Sequence, residues 1–416
     1  MNRDVTAELR QVIRRIEAKT AVARMSRPPS SLEALVGGAV EETDRGRLLV
    51  VRRRFPLGHA HGAQPLAATG TMAPESLALL GRAEGAPPEA RRLLYLDTET
   101  TGLAGGTGTY AFLVGAGFFD GDEFEVRQYF MRDLDEEPAL LAALEGCFKQ
   151  FEGFVTYNGT GFDLPLLETR FVLGRTRWPG EFFHVDLLPQ ARRLWGGRLL
   201  DCRLGTVEQH VLGFAREEDV PGALIPSIYF DYLRRKLPGT LPRVFDHNRH
   251  DILSLAALTG WVAGAVARAP DPDFHPVELA GLGRLWEPRD PERGEACYRM
   301  ALARGLPSPE RERLLLRLAW REKRRARWIE ARSLWEEAAR SARGFDPRPW
   351  EEMAKVDEHR RRDFLAAHRL VQEALTLARA HRAPESVLGA LAHRLERLAR
   401  RARLAGALSP LGVSAG

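Results

Sequence analysis

The sequence predicts an α/β domain on a mixed sheet over residues 91–270, followed by an all-α helical-repeat domain over residues 286–405. Three observations carry this expectation. From Arg91 onward, short apolar runs rich in β-branched and aromatic residues alternate with segments of helical periodicity. After Ala269 the stretch APDPDFHPVE reads as a linker, assigned to residues 271–285, and everything beyond it reads as helix. In that helical part, small and large residues recur at near-constant spacing. Residues 1–90 are set aside as a partly ordered N-terminal extension and residues 406–416 as a tail.

Taken in order, residues 5–24 read as a short helix before SRPPSS, RLLVVRRRF as a strand at 47–55, and GAQPLAATGTMAPES as loop. RRLLYLD is the first strand of the α/β pattern. TYAFLVGAGFF and EFEVRQYFM follow as two strands joined by the turn DGDE. EEPALLAALEGCFKQF is an amphipathic helix with Leu140, Leu141, Leu144, Cys147 and Phe148 at helical spacing. FVTYNG is a strand, FDLPLLETRFVL opens a helix, and FFHVDLL is strand-like. RLGTVEQHVLG and HDILSLAALTGWVAGAV are helical. Three strands, a helix, then further strands and helices resemble a ribonuclease H-like sheet rather than a Rossmann fold. In the helical part, Gly294, Tyr298 and Ala301 correspond to Ala331, Trp335 and Ala338, and again to Ala367, Val371 and Ala374. These offsets of 37 and 36 residues lie close to the ~34 of tetratricopeptide repeats. Small residues let paired helices approach while the large one fills between them.

With 44% hydrophobic and 28% charged residues in 416, the composition is that of a globular chain. No window approaches the ~18 consecutive apolar residues of a membrane span, and the charged start MNRDVTAELRQVIRRIEAKTAVARM lacks the apolar core of a secretory signal. Cys147, Cys202 and Cys297 are far apart, with no zinc or CxxC spacing, so buried thiols and a cytoplasmic location are expected. The net charge of +5 is uneven: residues 91–270 hold 19 Lys/Arg against 24 Asp/Glu, and residues 271–416 hold 29 against 22. A surplus of this kind fits either solvated helix faces or a surface for a polyanion.

The strand LYLDTETTG ends in two acids, Asp97 and Glu99, which two-residue periodicity places on one side. Such a terminus is costly unless something neutralises it. AGGTGTY beyond it lacks the order and the lysine of a phosphate-binding Walker loop. In YNGTGFDLPLLETR a strand ends at Asn158-Gly159 and Asp163 opens a helix, where an acid alone would serve as an N-cap. In DHNRHDILSL, His247 and Asp251 stand four apart, on one helix face. Singly, each feature has a structural explanation. Together, the four acids Asp97, Glu99, Asp163 and Asp251 form an oxygen-only set suited to Mg²⁺ or Mn²⁺ rather than zinc. Two such ions are a known device for in-line attack on a phosphodiester.

DTETTG, the segment with Asn158, Gly159 and FDLPLL, and the His/Asp helix resemble, in order, the three motifs of the DEDD 3′→5′ exonuclease superfamily. The match spans roughly residues 91–270. With LAGGTGTYAFLVG and the helical C-terminal part, the chain looks most like the YprB-like bacterial family. The resemblance implies a ribonuclease H-like fold and two Mg²⁺ or Mn²⁺ ions held by the four acids. It implies His247 as the residue that positions or deprotonates the water. Members of the superfamily place Tyr four, or His five, residues before the last Asp; here His247 stands at the tyrosine spacing and His250 is adjacent to Asp251. Thr100, Thr101 and Asn158 flank the acids, at positions where the resemblance implies contact with the terminal nucleotide.

IPSIYFDYLRRK interleaves Tyr229, Phe230 and Tyr232 with Arg234, Arg235 and Lys236. Aromatic stacking plus charge suits single-stranded nucleic acid; a helix that buries its aromatics and exposes its basic end accounts for the same residues. Asp186 of HVD is expected to be structural, and His59 and His61 to be loop or packing residues. The expected activity is removal of nucleotides from a free 3′ end of single-stranded nucleic acid, with DNA placed ahead of RNA although no motif reads the 2′-hydroxyl. The rival reading is a non-catalytic scaffold that binds a protein partner through the helical repeats. A degenerate domain of that kind would be expected to lose at least one of the four acids.

Overall fold

The computed structural model describes residues 31–81, 86–102 and 108–405. The helix expected at 5–24, most of the glycine-rich run after Gly102, and the tail lie outside the described residues. The chain divides into two compact units, Met1–Arg268 and Ala269–Gly416.

The first unit is organised on a seven-stranded mixed sheet. Its strands in chain order are β1 (Gly38–Thr43), β2 (Gly46–Pro56), β3 (Leu93–Thr100), β4 (Ala111–Asp120), β5 (Glu123–Phe130), β6 (Gly153–Thr156) and β7 (Phe183–Asp186). They lie in the order β1-β2-β5-β4-β3-β6-β7. Within it, β5-β4-β3-β6-β7 has the middle hairpin strand β4 antiparallel to its neighbours, while β3, β6 and β7 run parallel. This is the ribonuclease H-like sheet expected from the sequence, with β1 and β2 added at one edge.

That addition differs from the expected boundary at residue 90. Leu48 and Val50 of β2 turn into the core on one face of the sheet, and Leu49 and Val51 into the core on the other. A strand apolar on both sides needs cover on both, and pairing with β5 in the register Leu49–Phe130 to Pro56–Glu123 carries it into the sheet between the two cores.

Helix α1 (Glu137–Phe148) and helix α2 (Asp163–Leu173) cover one face, through Leu140, Leu144, Phe148, Leu167 and Phe171. Helix α3 (Leu187–Trp195) follows β7. The opposite face carries α4 (Ile225–Arg235) and α5 (Leu241–Arg268), packed on Phe112, Leu113 and Phe130 through Tyr229, Val244 and Phe245. Helix α5, at 28 residues, has an apolar stretch long enough to cross a membrane, but 78% of it is buried inside the protein, as in a central core helix.

In the second unit, seven helices are described: α6 (Pro276–Trp286), α7 (Pro291–Ala303), α8 (Glu310–Arg324), α9 (Trp328–Ser341), α10 (Pro347–His359), α11 (Phe364–Ala380) and α12 (Glu385–Leu404). Each packs on the next. Most of the stretch read as a linker is therefore helix. Pro276 sits at the first turn, where its missing N–H costs nothing, and His275 and Glu278 close a capping box. The residues of the repeat pattern fall on α7, α9 and α11 and are buried, with Tyr298, Trp335 and Val371 as the large members. Part of the arginine surplus answers buried acids within the unit. Arg332 makes a two-pronged bond to Asp357 at 2.8 and 2.9 Å, and Arg397 and Arg401 meet Glu358 at 2.7 and 2.8 Å.

Candidate active site

The end of β3 sends successive side chains to opposite faces. Asp97 and Glu99 turn toward α5, and Thr98 turns toward α2, where its hydroxyl donates to Asp163 Oδ1 at 2.5 Å. Asp163 is the first residue of α2 and is buried. On the α5 side Asn248 Nδ2 donates to Asp97 Oδ2 at 2.8 Å, and Asn248 Oδ1 accepts from Gln128 at 2.9 Å. This approach depends on Gly115 of β4, which pairs with Asp97. A Cβ there would lie 2.3 Å from Asn248 Oδ1. Sequence reading missed Asn248, although it sits between His247 and Asp251.

His247 and Asp251 share one face of α5, with His247 Nε2 3.6 Å from Asp251 Oδ2. One ligand atom from each of Glu99, His247 and Asp251 fits within a sphere of mutual separations no greater than 4.8 Å. His250 turns elsewhere, packing on Phe214 with ring centres 5.3 Å apart and toward His61 at 6.5 Å. His61 is bonded to Ser254 at 2.7 Å and His59 packs on Phe55, so both behave as packing residues.

A loop over residues 213–221 adds two groups that the sequence did not reveal. Asp219 accepts from His247 Nδ1 at 2.8 Å, which leaves Nε2 as the nitrogen facing the acids. Arg216 donates to buried Glu208 at 2.8 and 2.5 Å, to Asp219 at 3.2 Å, and to Asp251. REEDV has no periodicity, and only its density of charge could have drawn attention to it.

The charges interact strongly. Burial, then the charges of Asp251, Glu99 and Asp163, hold the Asp97 carboxyl well above the usual range, against the Asn248 hydrogen bond. Burial and the nearby Asp251, Asp163 and Asp219 raise Glu99 to about 8, although His247 opposes this. Burial raises Asp163 to about 6 against the Thr98 bond. For His247, burial disfavours the cation, but the Asp219 bond and the charges of Asp251 and Glu99 outweigh it and bring the group to about 9. Carboxylates packed so that each disfavours the ionisation of the next are what a cation would relieve.

The proposed nucleic-acid contacts are placed less uniformly. Asn158 is exposed and in the left-handed conformation at φ 68°, and its backbone N–H is held by Asp186 at 2.8 Å. Asp186 also caps α3 through Leu188, a structural role as expected. Thr100 donates to Gly102 O at 2.7 Å and Thr101 Oγ1 accepts from Tyr110 at 2.9 Å, so both hydroxyls shape the loop. Tyr229 does not fit the expectation. It is fully buried and stacks on Phe112 at 3.9 Å, because its helix turns Tyr229 and Tyr232 to the sheet and leaves Phe230 exposed. Arg234 and Arg235, at the end of the same helix, are exposed, and Arg234 pairs with Asp231.

Comparison with known proteins agrees with this arrangement. Residues 94–263 match the family profile of the RNase_H superfamily. The chain is also 33% identical over 288 residues to the uncharacterized protein YprB of Bacillus subtilis (strain 168), covering 68% of this chain and 69% of that one.

Proposed function

We propose, for a chain that belongs to the RNase_H superfamily and to one family with YprB, a metal-dependent nuclease that removes nucleotides from the 3′ end of single-stranded nucleic acid. One observation carries the reading. Glu99 Oε1 is buried with no hydrogen-bond donor among the described residues, beside His247 and Asp251. A buried carboxylate oxygen is normally satisfied, and here the surrounding donor set is made of further carboxylates and an imidazole. These residues fit a hard divalent cation.

Asp97, Glu99, Asp163 and Asp251 would hold two Mg²⁺ or Mn²⁺ ions, which when bound supply Lewis-acid polarisation of water and of the phosphate. The chain's own groups do the rest. Asn248 and Thr98 would hold the Asp97 and Asp163 carboxylates in place, each through one oxygen, leaving the other for a cation. Asp219 orients the imidazole of His247, and once bound cations offset the acids that keep it protonated, Nε2 would be free to accept the proton of the attacking water. The water oxygen bonds to phosphorus as the bond to the 3′ oxygen of the preceding nucleotide breaks, and that oxygen takes up a proton from solvent to leave a 3′-hydroxyl on the shortened strand. A 5′-mononucleotide departs. Asn158 and the loop around Thr100 and Thr101 border the place of the terminal nucleotide. The helical unit, read as tetratricopeptide-like, would add partner contacts or a basic track.

The test is incubation of purified protein with end-labelled single-stranded DNA and RNA in Mg²⁺, Mn²⁺ or EDTA. Digestion should require the metal, stop at a 3′-phosphate or inverted 3′ end, ignore a blocked 5′ end, and disappear in a folded Asp97→Ala variant. Activity in excess EDTA would sink the metal reading. Cutting of circular strands as fast as linear ones would make the protein an endonuclease instead.

A further inference from the structure

We infer that Arg216 is a resident cation of the acid cluster, which competes with a divalent ion for Asp251 and makes the two ends of the site unequal. The inference rests on the metal-site reading above and goes beyond it by assigning a residue that sets how the site fills.

The geometry is specific. Glu208, in the π-helical turn Glu208–Leu212, is fully buried, and it receives both Nε and Nη2 of Arg216, at 2.8 and 2.5 Å. That two-pronged bond fixes the plane of the guanidinium. Its remaining N–H groups are thereby aimed at Asp251 Oδ1 and at Asp219 Oδ2, the latter 3.2 Å away. The Arg216 side chain is 11% exposed, so water screens these contacts little. Asp251 Oδ2 in turn faces His247 Nε2 at 3.6 Å. Both oxygens of Asp251 therefore meet cationic or proton-bearing groups of the protein.

The other end differs. Among the described residues, Asp97 and Asp163 meet only neutral side-chain donors, Asn248 and Thr98, and Glu99 Oε1 meets none. Asp97, Glu99 and Asp163 are thus left without a bonded guanidinium among the described residues, whereas Asp251 has one in Arg216. A first divalent ion is drawn to the end without the guanidinium. A second has to displace a guanidinium that a buried carboxylate holds in place.

A residue that merely compensates Glu208 would, when removed, leave ion binding unchanged or damaged. A competitor, when removed, leaves it stronger. The sign of the change separates the two roles. Mn²⁺ is titrated into the full chain by calorimetry, with free Mn²⁺ followed by electron paramagnetic resonance. The proteins are the wild type, Arg216→Ala, Arg216→Lys, and the double variant Glu208→Gln/Arg216→Gln, which removes the buried charge together with its partner. Arg216→Lys keeps a charge on Glu208 but lacks the second nitrogen that reaches Asp251.

The wild type should bind one Mn²⁺ tightly, and Asp97→Asn should abolish that event. Each folded Arg216 variant should add a second equivalent or tighten binding by about tenfold or more, as expected for removal of a like charge at contact distance. Arg216→Lys should fall between wild type and Arg216→Ala. The inference is overturned if every folded variant binds Mn²⁺ no more tightly than wild type. If the variants tighten Mn²⁺ while no oligonucleotide is digested, the nuclease reading fails alone. If digestion proceeds and Mn²⁺ binding is indifferent to Arg216, the inference fails alone. Absence of Mn²⁺ binding in all proteins overturns both.

Discussion

Glu99 holds its proton to about pH 8, where an ordinary glutamate releases it near 4.5, and His247 holds its own to about 9 rather than 6.5. Between those limits the folded chain binds more protons than the unfolded one, so stability falls as pH rises. For Glu99 the loss runs from about pH 4.5 to 8, and for His247 the stabilising charge is lost as pH rises through about 9. In EDTA, calorimetry should therefore show the melting temperature of the α/β unit falling between pH 5 and pH 9, at about 2–4 °C for each kcal/mol lost. Mn²⁺ should shrink that fall, and a flat profile in EDTA would contradict the electrostatic account. Under the proposed function the same residues would govern turnover. His247→Ala is expected to lose about 10²–10⁴-fold in rate. Asp219→Asn, which keeps the shape but not the charge beside Nδ1, should lose less and shift the pH–rate profile to lower pH, measured on a short oligonucleotide. His250→Ala should turn over like wild type, since its ring packs on Phe214. The grouping of Glu99, His247 and Asp251 was legible because strand and helix periods decide which side chains share a face. Asp219, Arg216 and Glu208 were not, since a loop and a π turn impose no period.

Among the elements, β4 and α5 show how closely the site depends on packing. Asn248 reaches Asp97 only because Gly115 offers no side chain. Gly115→Ala should push α5 from the sheet or turn Asn248 off Asp97, costing about 1–3 kcal/mol. Chemical denaturation should register that loss and the oligonucleotide assay a fall in rate. Gly264→Ala, with nothing near its Cβ position among the described residues, is the matched control. The strands at 93–100, 111–120 and 123–130 and the helices that follow at 137–148 and 163–173 were readable from local pattern alone. The place of β2 was not. Local pattern reports that RLLVVRRRF is extended, but its neighbour β5 lies far along the chain, and no local signal names a distant partner. The run after Ala269 misled in another way. Prolines that read as breakers are equally at home in a first helical turn, and Pro276 is in one.

At the scale of the whole molecule, the division at Arg268/Ala269 suggests a clean dissection. A chain ending at Arg268 should digest short oligonucleotides at the full-length rate but bind long strands more weakly and with a flatter dependence on salt, measured by filter binding across ionic strengths. Unchanged salt dependence would assign the surplus of basic residues to ordinary surface and internal pairing, and leave the helical unit to a protein partner. The N-terminal hairpin carries a different consequence, one of timing. Leu49 pairs with Phe130, about eighty residues later in the chain. A ribosome needs roughly 4–16 s to make that length. Until then β2 emerges with apolar side chains on both faces and no neighbour but β1. The arginines at 52–54 and the glutamates at 41 and 42 flank that apolar stretch, as charged gatekeepers do where a strand must wait for its partner without finding another copy of itself.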